Sequence, residues 1–409
     1  MNAFLFMLKK AIRPTVAVTV GLTCFAVLFM IASFKSAYGD DKLYAACFDS
    51  LDEGEEGYNA ARYNSEKLSA EDKEILDKAD RYISTHSNGS VPPILPNEMV
   101  DEIFETLFGD SETAGSSQYQ AVYGLISKQL YSQTFSRELI KERTEGYSRN
   151  IRRGVTDEYS LKIAELMMDD YEKVLEKEEN HRERYDTRYA NNFIGFISSE
   201  PISYIGIFLL LFSSFSAELQ SGRYKAFKLT KTGAVGYSSY RIIIGILQAA
   251  VFFSVYFFAL YTAVILSSGT KISSMPMQYL SGFELSHLPI NFGGFVLRIY
   301  FMKLSFTLML SAAVMLLSMV SRRIIPSAIV CLIPLAAPAA LSRIDISLNE
   351  NLRQMMTCDI IGMNNDIGAI NIGGSPIDVA AVFFIAVIMI AVCSAAAALI
   401  LSGRRGFDA

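Results

Sequence analysis

Three histidines and five cysteines in 409 residues leave little room for metal or redox chemistry. No CxxC pair and no His/Cys spacing suited to zinc occurs, so a zinc site is not expected. There is no GxxxxGK[ST] loop to cradle nucleotide phosphates, no nucleophile elbow, and no EF-hand ligand order. Cys24, Cys331 and Cys393 lie in apolar runs, where a thiol behaves as a small hydrophobe. Cys47 and Cys358 fall outside those runs. They are either a disulfide pair in an oxidising compartment or two unrelated thiols.

Charge is scarce where hydrophobicity is dense. Hydrophobic residues make up 51% of the chain, and its net charge of −5 hides two opposite parts. Residues 40–200 carry 34 acidic and 19 basic side chains, whereas the remainder carries 8 acidic and 18 basic. A chain whose only sizeable polar segment is acidic is not built to contact phosphates, so nucleic acid is excluded as a partner.

A hydrocarbon core about 30 Å thick needs about 20 apolar helical residues. Six runs approach or meet this: Pro14 to Phe34, Pro201 to Ala217, Ile242 to Ser267, Phe292 to Val320, Ile324 to Leu341 (with Pro326, Pro334 and Pro338) and Ile377 to Leu401. Asn192 to Ser199 either extends the second run or lies at the interface. The first run is longer than a signal-peptide core and reads as an uncleaved anchor. Basic clusters set the orientation. Lys9, Lys10 and Arg13, then Arg223 to Arg241, then Arg322 and Arg323, then Arg404 and Arg405 all fall on one side if six spans are counted. The expected fold is an all-α polytopic membrane protein with six transmembrane helices and a mostly helical extracellular domain. It would lie in the plasma membrane with both termini cytoplasmic and residues 37–200 extracellular.

Within that domain the patterning predicts helices over Lys73 to Ile83, Asn97 to Phe108, Tyr119 to Glu145 and Thr156 to about Arg188. Its acidic runs and numerous tyrosines are explained by a solvated surface and a packed core. Two basic residues sit inside the fourth run, at a cost of about 2.5–3.5 kcal/mol each on insertion scales. Arg298 is near an end and is expected to snorkel to the interface. Lys303 is deeper and either faces an inter-subunit cavity or packs inside, with Glu200 as a candidate partner.

The segment FSAELQSGRYKAFKLTKTGAVGYSSYRIIIGIL is the most informative. Glu218 ends the second run, Gly222 follows four residues on, and Arg223 to Leu229 is basic and amphipathic. Gly233 and Gly236 then precede a Ser-Ser-Tyr-Arg helix start. This stretch resembles the ABC-2-type transporter permeases, in the subgroup with a large extracellular domain between spans one and two. The resemblance covers the membrane part and carries no motif into residues 40–200. Charges such as Arg298 and Lys303 depart from it. It implies an amphipathic elbow helix over residues 1–12, a first transmembrane helix over 13–36, the extracellular domain over 37–200, and five further helices over 201–409 with a coupling loop at 218–241.

It further implies that Gln220 to Leu229 docks on an ABC ATPase, with Glu218, Gln220, Gly222, Arg223, Lys225 and Phe227 carrying the coupling. ATP and Mg would reside on that separate subunit and no cofactor in this chain. A second permease subunit, identical or not, would complete the path, and the bilayer is the remaining partner. The chain itself would be an exporter subunit and not an enzyme. The other reading is a non-transporting membrane receptor or scaffold with an extracellular interaction domain. An intramembrane enzyme is poorly supported, because no run carries the Asp/His/Ser sets it would need and Asp378 lies at a run's end.

Overall fold

The computed structural model describes residues 3–38, 140–149, 151, 158–180, 185, 187–198, 201–224, 233–341, 350–364, 369–373 and 375–405. Glu200, Lys225, Phe227, Cys47 and the expected helices at 73–83 and 97–108 lie outside the described residues. Most of the expected helix at 119–145 does too, although residues 140–149 are helical.

The described residues are mostly helical. In chain order they form α1 (Ala3–Tyr38), α2 (Glu158–Asn180), α3 (Arg188–Ser198), α4 (Ile202–Leu211), α5 (Ser216–Gln220), α6 (Gly233–Ser268), α7 (Phe292–Val320) and α8 (Ile324–Leu341). The order continues with α9 (Glu350–Thr357), α10 (Ile360–Asn364), an antiparallel hairpin of β1 (Ala369–Ile372) and β2 (Ser375–Asp378), and α11 (Val379–Arg405). Five helices are long and apolar enough to cross a membrane: Met7–Phe34, Ile202–Gln220, Gly233–Ser268, Phe292–Val320 and Val379–Gly403. That makes the chain a multi-pass membrane protein. The run expected as a fifth span is α8, whose 18 residues rise about 27 Å. Its apolar stretch Ile324–Pro338 is shorter than the other five. Pro334 and Pro338 each remove an amide from its ladder.

The chain divides into two compact units. Of the second unit, residues 32–38, 140 and 175–180 are described, and all are helical. The first unit holds Met1–Ile31, Lys141–Val174 and Tyr185–Ala409. Compactness therefore does not divide the chain at residue 200. Residues 185–198 belong with the spans because α3 buries Phe193, Ile194 and Ile197 in the same core as α6 and α7. Phe193 meets Phe257 edge to face at 5.6 Å. The apolar lead-in to the second span is thus a separate helix and not its extension. On α2, the Lys162–Glu158 and Lys173–Asp169 pairs lie on an exposed face, where such pairs contribute little. The Lys162 ammonium beside Glu158 holds that carboxyl below its ordinary value by a hydrogen bond and by charge.

α7 is the central helix, packing against α4, α6, α8 and α11. Apolar burial supplies no net drive between helices that would otherwise meet lipid, so close packing must hold them. Met302, Phe306, Leu310, Val314 and Met315 on α7 form one core with Phe383 and Val387 on α11. Phe306 stacks on Phe383 at 6.1 Å. Gly206 on α4 lets α6 approach: a Cβ there would fall 2.1 Å from the Phe252 ring. α8 is two-faced, with Ile325, Ile329 and Ile333 exposed and Cys331 and Leu335 buried.

The described residues of the expected elbow and first span form one helix, Ala3–Tyr38, with no break between them, although Pro14 lies inside. The Thr15 hydroxyl donates to the Ala11 carbonyl at 2.7 Å and accepts from Gln248 Nε2 of α6 at 2.7 Å. Gln248 Nε2 also reaches the Ala11 carbonyl at 3.4 Å.

Between α6 and α7 the chain makes two short 3₁₀ turns, Thr270–Ser274 and Met277–Tyr279, and folds back on the core. Met275, Met277, Leu280 and Phe283 are buried there. Buried Gln278 donates to the Ser286 and Leu288 carbonyls at 3.0 and 2.9 Å, satisfying backbone that no regular element pairs. Tyr171 of α2 donates to the Leu285 carbonyl at 2.8 Å, and the Ser281 amide donates to Asn191 of α3 at 2.9 Å.

Candidate functional site: a broken helix held by its neighbours

The second span is discontinuous. α4 ends at Leu211, residues 212–215 turn, and α5 restarts at Ser216. No proline or glycine lies in Phe212-Ser-Ser-Phe-Ser216. The paired serines offer the backbone local alternatives, and neighbouring helices complete the break. Ser327 of α8 donates its hydroxyl to the Phe212 carbonyl at 2.6 Å. The Ser318 hydroxyl of α7 accepts from the Phe215 amide at 3.1 Å and the Ser216 amide at 3.3 Å. Arg241 of α6 donates from Nε to the Ser214 carbonyl at 3.2 Å. Three helices thus supply the partners that a continuous ladder would have given. Ser216, Ser318 and Ser327 are fully buried.

One turn beyond the break is Glu218, buried, with its carboxylate accepting a hydrogen bond from the Tyr237 hydroxyl of α6. Tyr224 closes over the pair. Its ring meets that of Tyr237 edge to face at 6.3 Å, and its hydroxyl lies 3.1 Å from the Ser238 hydroxyl. Met7 and Ala11 of α1 pack on the same cluster. Gly222 has φ +70 and stops α5 in the left-handed conformation that glycine adopts freely.

The residues expected to carry coupling therefore separate. Glu218 is inside, whereas Gln220, Gly222 and Arg223 are exposed. At 7% exposure the Glu218 carboxylate offers little surface to a docking partner. Gln220 turns back to the bundle, accepting at Oε1 from the Ile324 amide of α8 at 3.0 Å.

Helix ends gather at this end of the molecule. The start of α1 packs on Tyr224 and Tyr237, and the α7–α8 turn bonds Gln220. The end of α11 reaches the start of α6, where a Cβ on Gly403 would lie 3.6 Å from Val235. Those are the helix ends that carry or adjoin the four basic clusters. Lys9, Lys10, Arg13, Arg223, Arg322 and Arg323 are exposed there.

At the opposite end Arg298 does not snorkel. Its Nη2 donates to Asp378 Oδ2 at 2.6 Å and its Nε to Asn364 Oδ1 at 2.6 Å. A carboxylate and an amide within reach satisfy the guanidinium more directly than water at an interface would. Asn364 is buried, its carbonyl accepts from the Ser286 hydroxyl at 2.8 Å, and its Nδ2 donates to the Ile360 carbonyl at 2.8 Å. Lys303, for which an inter-subunit cavity and an inside position were both open, is buried at 2% exposure. Cys358 is buried, in a left-handed conformation with φ 52, and Cys47, its candidate disulfide partner, lies outside the described residues. Among the described residues no group of three or more His, Cys, Asp or Glu is placed to hold a metal.

Sequence reasoning missed Ser318, Ser327, Arg241 and Tyr237 as parts of this site. The serine cluster in an otherwise apolar run was the available signal for the break. Comparison with known protein families, with characterised proteins and with solved structures finds no match.

Proposed function

We propose that this chain is the permease subunit of an ABC exporter, driven by a separate ATP-binding subunit that carries ATP and Mg. The observation that supports it most is the design of the Glu218–Arg223 segment. A buried carboxylate ties α5 to α6, and the residues just after it are exposed at the end where the basic helix ends gather. A short exposed segment on a firmly tied base is what a docking element needs: contacts outside, and a rigid connection to the spans inside. On this reading α8 is the sixth span, both termini are cytoplasmic, residues 37–200 are extracellular, and a second permease subunit completes the path. The gathering of basic helix ends supports that sidedness.

The test is recovery of the full chain from membranes with its bound partners. A stoichiometric ATP-binding subunit is expected, cross-linking through a photoreactive group at Arg223. Glu218→Ala or Gly222→Val is expected to leave insertion intact while ATP hydrolysis proceeds without substrate stimulation. Recovery of the chain with no ATPase, from membranes in which it is abundant, would overturn the reading.

A further inference from the structure

The attachments of α5 differ from those of α4, although hydropathy reads both as one span. α4 packs through Gly206 on Phe252 and through Tyr204 on Phe306, at 6.4 Å between rings, deep along α6 and α7. α5 is tied to helix ends. Its first amide reaches Ser318, two residues from the end of α7 by the helix bounds; its Gln220 reaches Ile324, the first residue of α8; and its Glu218 reaches Tyr237 near the start of α6. Across 212–215 the backbone keeps only part of a helical ladder, with the Ala217 amide on the Ser213 carbonyl at 3.2 Å and the Ser214 amide on the Leu211 carbonyl at 3.0 Å. The Phe215 amide, which an unbroken helix would give to Leu211, goes to Ser318 instead.

We infer that residues 212–215 are a pivot, and that α5 moves as one block with the α7–α8 turn and the start of α6 instead of with α4. Ser318 is the positioning residue that fixes the block to α7. Motion of the exposed segment after Gln220 then passes sideways into α7 and α8, the helices that Ser318 and Ile324 belong to. It does not pass lengthwise up the second span. Hinges of this kind are a few residues at element ends that absorb the change while the packed elements stay rigid. The pivot stands on the hydrogen bonds alone; its use in transport rests on the permease reading.

Amide hydrogen exchange on the full chain in lipid nanodiscs tests the pivot. In Ser318→Ala the Phe215 and Ser216 amides lose their acceptor, and exchange there should rise by about tenfold. Exchange along α4 and α6 should not change, and Ser318→Thr, which keeps the hydroxyl, should restore slow exchange. Unchanged exchange in Ser318→Ala, or an equal rise along α4, overturns the pivot. A second measurement addresses its use. With the co-purified ATP-binding subunit present, spin labels at Ile205 and Arg223 should change their separation by several ångströms when ATP is added. Labels at Arg223 and Arg322 should keep theirs. Equal changes in both pairs would overturn the block. If no ATP-binding subunit is recovered, the permease reading falls while the exchange result still decides the pivot.

Discussion

Arg298 and Asp378 stand 80 residues apart in sequence and meet at 2.6 Å, joining the first turns of α7 to the residue just before α11. Asp378 works twice: its other oxygen accepts from the Ala380 amide at 2.8 Å and caps the helix. Both side chains are partly solvated, which limits the worth of the ion pair itself to about 1 kcal/mol. Asp378→Ala should therefore cost more than Asp378→Asn, which keeps the cap, by about 1 kcal/mol. A double-mutant cycle with Arg298→Ala, read by unfolding in detergent, checks the partition. Equal losses for the two Asp378 variants would remove the capping role.

Tyr237→Phe takes the phenol from a buried carboxylate and should destabilise the protein by about 1–3 kcal/mol. Replacing both partners, as Glu218→Leu with Tyr237→Phe, should recover part of that loss, because no buried charge then lacks its donor. Thermal unfolding of the two variants and the unaltered protein compares them. A double variant less stable than Tyr237→Phe alone would mean that the pair adds net stability beyond what satisfying the charge explains.

Gly206→Ala sets a methyl 2.1 Å from the rigid, fully buried Phe252 ring. Overpacking of this kind costs about 1–3 kcal/mol. Gly245→Ala meets chiefly Met315 Sδ, at 2.4 Å, and a thioether side chain can move aside. The first variant should lower the melting temperature in detergent more than the second. The reverse order would mean that α4 and α6 separate more easily than the glycine contact implies.

Sidedness can be read with an impermeant maleimide on intact cells, in a Cys47→Ser background. Lys271→Cys, exposed on the loop between α6 and α7, should label; Gln220→Cys should label only after the membrane is opened. Labelling of Gln220→Cys in intact cells would reverse the proposed orientation.

Hydropathy located the long helices because a bilayer-crossing helix must be continuously apolar, and their bounds match closely at Phe292–Val320 and Ile324–Leu341. It could not register the break at 212–215, since serines satisfied by other helices leave the run apolar on average. Nor could it show that Arg298 has a partner, because Asp378 reaches it only through the fold. The last helix begins two residues later than hydropathy suggests, because Ile377 belongs to β2. The hairpin itself had a local signature in Gly373-Gly374 between short β-compatible runs. Glu218 reads as a surface residue by type, and only the fold, which sets it against the Tyr237 hydroxyl, makes it an interior one.

The contact between Thr15 and Gln248 has a history written into its spacing of 233 residues. At about 5–20 residues per second, α1 waits in the bilayer for tens of seconds before the ribosome makes α6. During that interval the Thr15 hydroxyl can already give its proton to the Ala11 carbonyl of its own helix. It needs no other helix to be tolerated in lipid. When Gln248 arrives it finds an oxygen whose proton is already committed and whose lone pair is free. α1 is thus able to enter the membrane early with the Thr15 hydroxyl already satisfied and to acquire its polar neighbour late, without breaking that bond.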